Sequence, residues 1–150
     1  MRPSKEDTYI QLARVWAKRS TCSSRIAVGA VLVNQFDQVI ASGYNGSAKS
    51  LPHCNDAGCV LDSDGHCTRS LHAETNVVLS CATNGMSSRG CVLYVTHSPC
   101  LLCCNTIIQA GIIAVIYETA YKNLIEAASV LRQTDIVMTK YTSDKEWLND

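Results

Sequence analysis

Charge of one sign is the first thing this sequence lacks: thirteen Lys and Arg are matched by thirteen Asp and Glu, for a formal net charge of zero. A neutral chain has no field with which to gather a polyanion. No basic stripe breaks the balance, so bulk nucleic-acid binding is not expected. Long apolar runs are missing too. The longest, AVGAVLV at 27–33 and IIAVIY at 112–117, are strand-length, which argues against a membrane span. The segment MRPSKEDTYIQLARVW has no apolar core of the kind a signal peptide needs. A cytoplasmic location is therefore expected. No repeat, low-complexity tract or linker divides the chain, and residues 1–150 are expected to form one domain. With 47% hydrophobic and 17% charged residues, the composition is that of a globular protein rather than a disordered one.

Against these absences stand nine cysteines, at 22, 54, 59, 67, 81, 91, 100, 103 and 104. An odd number in a reducing compartment argues against a disulfide framework. It points to metal ligation, with some thiols simply buried. The apolar periodicity alternates between helix and strand. Residues 4–19 read as a helix with Ser4 as its N-cap and Tyr9, Leu12, Ala13 and Trp16 on one face. Strands at 27–33 and 38–42 form a hairpin through a turn at 35–37. Residues 43–71 show no period; a loop of that length in a compact domain is functional or pinned by something. A helix from His72 to Asn84, a strand at 90–96 and a helix from Pro99 to Ala110 follow. A strand at 112–117, a helix at 122–132 and a strand at 135–140 complete the order. This alternation predicts an α/β fold, with a five-stranded mixed sheet flanked by helices: mostly parallel, begun by one antiparallel hairpin.

Two motifs stand at corresponding places in this order. His72-Ala73-Glu74 opens one helix and Ser98-Pro99-Cys100-Leu101-Leu102-Cys103 opens another, with Pro99 expected at the first helical position. Cys100 and Cys103 are three apart and share a face, at a helix end whose partial positive charge favours thiolates. With His72 they make three protein ligands, so a tetrahedral zinc keeps a fourth position open, as catalytic sites do. Glu74, two residues from His72, does not share that side chain's direction and is better placed as a proton carrier than as a ligand. Neither motif decides anything alone, since Cys-x-x-Cys is also a redox pair or two buried thiols. Cys104, off the shared face, belongs to the core. A second set of soft donors lies in the unpatterned stretch, His53-Cys54-Asn55-Asp56-Ala57-Gly58-Cys59 and Gly65-His66-Cys67. A structural zinc held there explains why such a loop persists.

Together the two motifs match the zinc-deaminase pattern H-x-E…P-C-x-x-C. Several further stretches narrow the likeness, among them Val28-Gly29-Ala30-Val31, Gly43-Tyr44-Asn45-Gly46, Thr68-Arg69-Ser70-Leu71 and Leu93-Tyr94-Val95-Thr96. Gln109-Ala110-Gly111-Ile112 and Glu118-Thr119-Ala120-Tyr121 extend it. Over residues 5–140 the chain resembles the microbial and viral deoxycytidylate deaminases of the cytidine and deoxycytidylate deaminase family. The resemblance implies a three-layer fold and hydrolysis of dCMP to dUMP, which feeds thymidylate synthesis. It also implies a homo-hexamer activated by dCTP and inhibited by dTTP with Mg2+. By position, Asn45 matches the asparagine that binds the sugar, and Ala73 the N–H that meets the cytosine carbonyl. Thr96 and Ser98 match the strand end lining the pocket, while Ser24, Arg25, Tyr121 and Lys122 match the surroundings of the 5′-phosphate. The family's second zinc adds Cys22 to Cys54, Cys59, His66 and Cys67, of which four would ligate. For the regulatory triphosphate, the segment Gly43–Leu51 offers Gly43 and Gly46 for close backbone approach and Lys49 for charge. A free cytidine or cytosine deaminase and a tRNA adenosine deaminase share the motif; the neutral charge disfavours the second. A non-catalytic module with two closed zinc sites would leave Glu74 without a role.

Overall fold

The computed structural model describes residues 2–23 and 25–143. Its elements run in the order α1 (Lys5–Ala17), β1 (Gly29–Val33), β2 (Val39–Tyr44), β3 (Gly46–Ser47), α2 (Cys54–Ala57), β4 (Ser70–Leu71) and α3 (Ala73–Thr83). Then come β5 (Val92–His97), α4 (Leu101–Gln109), β6 (Ala114–Thr119), α5 (Leu124–Arg132) and β7 (Val137–Lys140). Five strands form one sheet in the order β2-β1-β5-β6-β7. β1 is antiparallel to both β2 and β5, whereas β5–β6 and β6–β7 are parallel. The sheet is mixed, with the hairpin at one edge.

Side chains that alternate along each strand divide the core between two faces. Ala30 and Leu32 of β1, Leu93 and Val95 of β5, and Val115 and Tyr117 of β6 face Ala73, Val77 and Cys81 of α3. Cys104 and Ile107 of α4 and Ala127 and Leu131 of α5 close the same layer. The intervening residues Val31, Val33 and Tyr94 face Tyr9, Ile10 and Ala13 of α1, with Tyr141 beside them. Helices thus cover both faces in three layers. That is why β1 is buried at all five positions and reads as an unbroken apolar run.

α1 begins with a capping box: Ser4 accepts from the Asp7 N–H while Asp7 accepts from the Ser4 N–H. Its inward face is rotated from the one the sequence suggests. Ile10 is fully buried, whereas Leu12 and Trp16 are exposed, Trp16 stacked on Tyr44 at 6.0 Å. Pro99 also departs from expectation. Cys100 is the N-cap of α4, so Pro99 precedes the cap rather than opening the helix. The stretch 43–71 is less irregular than its sequence. Gly43 and Tyr44 continue β2, opposite Ala30 and Gly29. The β3–β4 pair joins Gly46 to Leu71 and Ser47 to Ser70, and a bridge links Leu61 to Cys67. These pairings are non-local, which periodicity within a short window does not reveal.

Candidate active site and metal centres

His72 and Cys100 are the N-caps of α3 and α4, and neither makes the side-chain capping bond usual at that position. Their side chains turn to each other instead. His72 Nδ1 lies 3.3 Å from the Cys103 Sγ and 3.5 Å from the Cys100 Sγ, and the three donor atoms all fall within 4.8 Å of one another. A tetrahedral zinc, with bonds of about 2.3 Å to sulfur and about 2.0 Å to nitrogen, sets its donors about 3.5–3.8 Å apart. The trio fits. A hydrogen bond from Cys103, and then the His72 ring, hold the Cys100 thiol down to about 4, against the effect of burial. The bond with Cys100, together with burial, pushes Cys103 up. Burial raises the pKa of Glu74, which is 4% exposed. That is the direction a carboxyl needs to hold and release a proton near neutral pH.

Cys22, Cys54, Cys59 and Cys67 form a second cluster with sulfurs within the same 4.8 Å. Cys22 and Cys59 are 3.5 Å apart and Cys54 and Cys67 3.6 Å, again the spacing of a tetrahedral ion. His66, the fifth candidate, is excluded from this set. Its ring is exposed and lies 3.8 Å from an Asp62 carboxylate oxygen rather than among the four sulfurs. Burial pushes the Cys22 thiol up to about 12. Burial acts the same way on Cys67, but N–H groups from Val60, Ser70 and Arg69 bring it down to about 6. Four sulfurs without a carboxylate or water position describe a closed, structural site.

A cavity of about 270 Å³ opens onto His72 and Cys100 of the trio, lined also by Asn45, Ala73, Glu74 and Ser98 among others. Arg25, Tyr121 and Lys122 also line it, so these sequence candidates are brought together; Ser24 lies outside the described residues. Asn45 is held by the loop it faces: its Oδ1 accepts from Val28 N–H and its Nδ2 donates to the Ile26 carbonyl, both at 2.8 Å. Each of those atoms keeps one further bonding capacity for a ligand. The Ser98 Oγ accepts from the Tyr121 N–H at 2.7 Å, tying the 121–122 segment to the strand end.

Thr96 is not among the lining residues. Its hydroxyl is 3.1 Å from the Gly29 N–H and stitches β5 to β1. Strand alternation puts Thr96 on the opposite side from His97, which does line the cavity and which the sequence reading missed. Ile26, Val28, His66, Ser70 and the cluster residues Cys22 and Cys67 line it as well. The segment Gly43–Leu51 also differs from expectation. A Cβ on Gly43 would meet Asn76 at 3.3 Å, and one on Gly46 would meet the Thr21 Oγ1 at 2.4 Å. The close approach these glycines permit is therefore to the protein itself, and of the three residues only Lys49 is exposed. No helix among the described residues is long and apolar enough to cross a membrane.

The model of the cytidine and deoxycytidylate deaminase zinc-binding region matches residues 3–119. The chain is 40% identical to ComE operon protein 2 of Bacillus subtilis, over 91% of this chain and 71% of that protein. With the deoxycytidylate deaminase of Saccharomyces cerevisiae it shares 35% identity over 97% of this chain. There it spans only about half of the relative's length, 47%. Among solved structures, the dCMP deaminase of cyanophage S-TIM5 in complex with dCMP and dUMP superposes with a TM-score of 0.81 at 32% identity. That match covers 94% of this chain and 99% of the other.

Proposed function

Because this chain belongs to the cytidine and deoxycytidylate deaminase family, we propose that it removes the exocyclic amine of dCMP by hydrolysis, giving dUMP and ammonia. The observation that carries the reading is the His72, Cys100 and Cys103 trio at two adjoining helix starts, with buried Glu74 beside it in the same cavity. Zinc bound by the three would supply Lewis-acid activation of water near neutral pH. The rest falls to the chain. Glu74 takes a proton from the attacking water and delivers it first to the ring nitrogen and then to the departing amine. As the first residue of α3, Ala73 has an N–H with no helical carbonyl behind it, free to meet the cytosine carbonyl. The Ser98 carbonyl accepts from the amine, and Asn45 spends its remaining capacity on the sugar. Arg25, Lys122 and Tyr121 surround the 5′-phosphate, a grouping that a free nucleoside would not need.

The four-cysteine cluster holds a second, structural zinc. The family resemblance further supports a single catalytic domain over residues 1–150, acting as a cytoplasmic homo-hexamer. It also supports activation by dCTP and inhibition by dTTP with Mg2+, with Lys49 as the exposed cation of its segment. Incubating the zinc-loaded protein with dCMP, CMP, dCTP and deoxycytidine, and following the ultraviolet change of deamination, tests the reading. Turnover is expected to be fastest on dCMP; no turnover on any of the four would sink it. Repeating the dCMP assay with Mg2+ plus dCTP, then dTTP, tests the control.

A further inference from the structure

His97 ends β5, opposite Thr119 of β6, and its half-buried side chain lines the cavity. Its Nδ1 lies 3.0 Å from the Thr96 Oγ1, and that same oxygen lies 3.1 Å from the Gly29 N. A backbone N–H can only donate, so Thr96 is the acceptor in the bond with Gly29. Thr96 is buried, and a buried hydroxyl must itself donate to some acceptor. Among the described residues, the His97 Nδ1 is the acceptor within reach. Were Nδ1 protonated instead, the Thr96 oxygen would receive two donors and its own proton would have no acceptor. The network therefore runs from the Gly29 N–H to Thr96 and from the Thr96 hydroxyl to His97. This puts the ring proton on Nε2. Burial lowers the pKa of the ring, which favours its neutral form, opposed in part by Glu118, which is engaged by Arg14.

We propose that His97 is a substrate-recognition residue whose neutral Nε2–H donates to an oxygen of the nucleotide in the cavity. This rests on the deaminase reading for the identity of the ligand, but the tautomer does not depend on it. The donor is fixed before the ligand arrives: Nδ1 is committed to the protein, which leaves Nε2, on a ring that lines the cavity, as the nitrogen available to a ligand. A lysine or a protonated histidine would attract any anion; a neutral N–H discriminates by geometry instead.

The test has two arms. In 15N-correlated spectra of the zinc-loaded protein, His97 should show a bare Nδ1 and a protonated Nε2; a proton on Nδ1 overturns the proposal whether or not the protein turns over dCMP. In kinetics, His97→Leu should raise KM for dCMP roughly five- to tenfold, the worth of one hydrogen bond, with kcat within about twofold. His97→Gln, whose amide nitrogen can stand where Nε2 stood, should restore KM to within about twofold of the original. Equal KM values for Leu and Gln variants of unchanged zinc content would also overturn it. If the unaltered protein deaminates nothing, the activity reading fails by itself, and the spectra still decide the tautomer.

Discussion

At the scale of single residues, two side chains near the metal trio invite separable tests. Glu74→Gln preserves size and the buried position but cannot carry a proton. Turnover should fall by about 10²–10⁴-fold while zinc content by elemental analysis stays unchanged; a variant keeping a tenth of normal turnover would refute the assignment. Asn45 has two duties, one to the protein and one to the ligand. Asn45→Ala loses the bonds to Val28 and Ile26 and should cost about 1–3 kcal/mol in denaturant unfolding, besides raising KM. Asn45→Asp keeps the acceptor for Val28 but sets a carboxylate oxygen against the Ile26 carbonyl, so it should be destabilised too. That His72, Cys100 and Cys103 come together, and that Cys104 lies in the core, was legible because both motifs sit at helix starts and spacing there limits which neighbours share a face. Thr96 and His97 were not. Which of two adjacent strand residues turns into a cavity depends on which sheet face carries the cavity, and that is settled by tertiary packing rather than by local pattern. His66 was misleading for a related reason, since it offers metal-ligand chemistry but its exposed ring lies outside the four-sulfur set.

At the scale of elements, helix starts were readable and close contacts between elements were not. The Ser4 cap and the two ligand-bearing helix beginnings follow from local chemistry. Nothing local announces that α1 rests directly on Gly29, where an added Cβ would come within 1.9 Å of the Ala13 carbonyl oxygen and 2.5 Å of the Ala17 nitrogen. Both obstacles are backbone, so Gly29→Ala should force α1 off the sheet. A loss of about 3 kcal/mol is expected in denaturant unfolding, and a variant of unchanged midpoint would contradict the contact. The cysteine cluster joins α2 and the 59–67 stretch to the segment after α1, and its members Cys22 and Cys67 also line the cavity. Cys54→Ser should therefore lower bound zinc from about two ions per chain to about one. It should also reduce the melting temperature and raise KM for dCMP, although Cys54 itself does not line the cavity. Unchanged zinc stoichiometry would remove the second site from consideration.

At the scale of the whole molecule, the alternation of helices and strands gave the α/β class, but the strand order had to come from the fold, since β1 lies between β2 and β5. Burying β1 and β5 under α1 also buries Tyr94, whose hydroxyl pKa is pushed up to about 12 by desolvation, with lesser effects from Glu6, Tyr9 and Asp37. An unfolded tyrosine titrates near about 10. Between those values the folded state holds a proton that the unfolded state has released, so stability falls as pH rises from about 10 to about 12. Tyr94→Phe should flatten that alkaline slope in unfolding titrations while changing little at pH 7; an unaltered slope would mean that other groups dominate.

The same layer has a consequence for synthesis. The Tyr141 hydroxyl bonds the Asp7 carboxylate at 2.6 Å across 134 residues of chain, and Arg14 reaches Glu118 across 104. α1 therefore leaves the ribosome long before the strands and Tyr141 that receive it, with Tyr9, Ile10 and Ala13 still uncovered. Translation must carry this amphipathic helix as a waiting segment, open to chaperones, until β5 is out and Tyr141 can fasten it down.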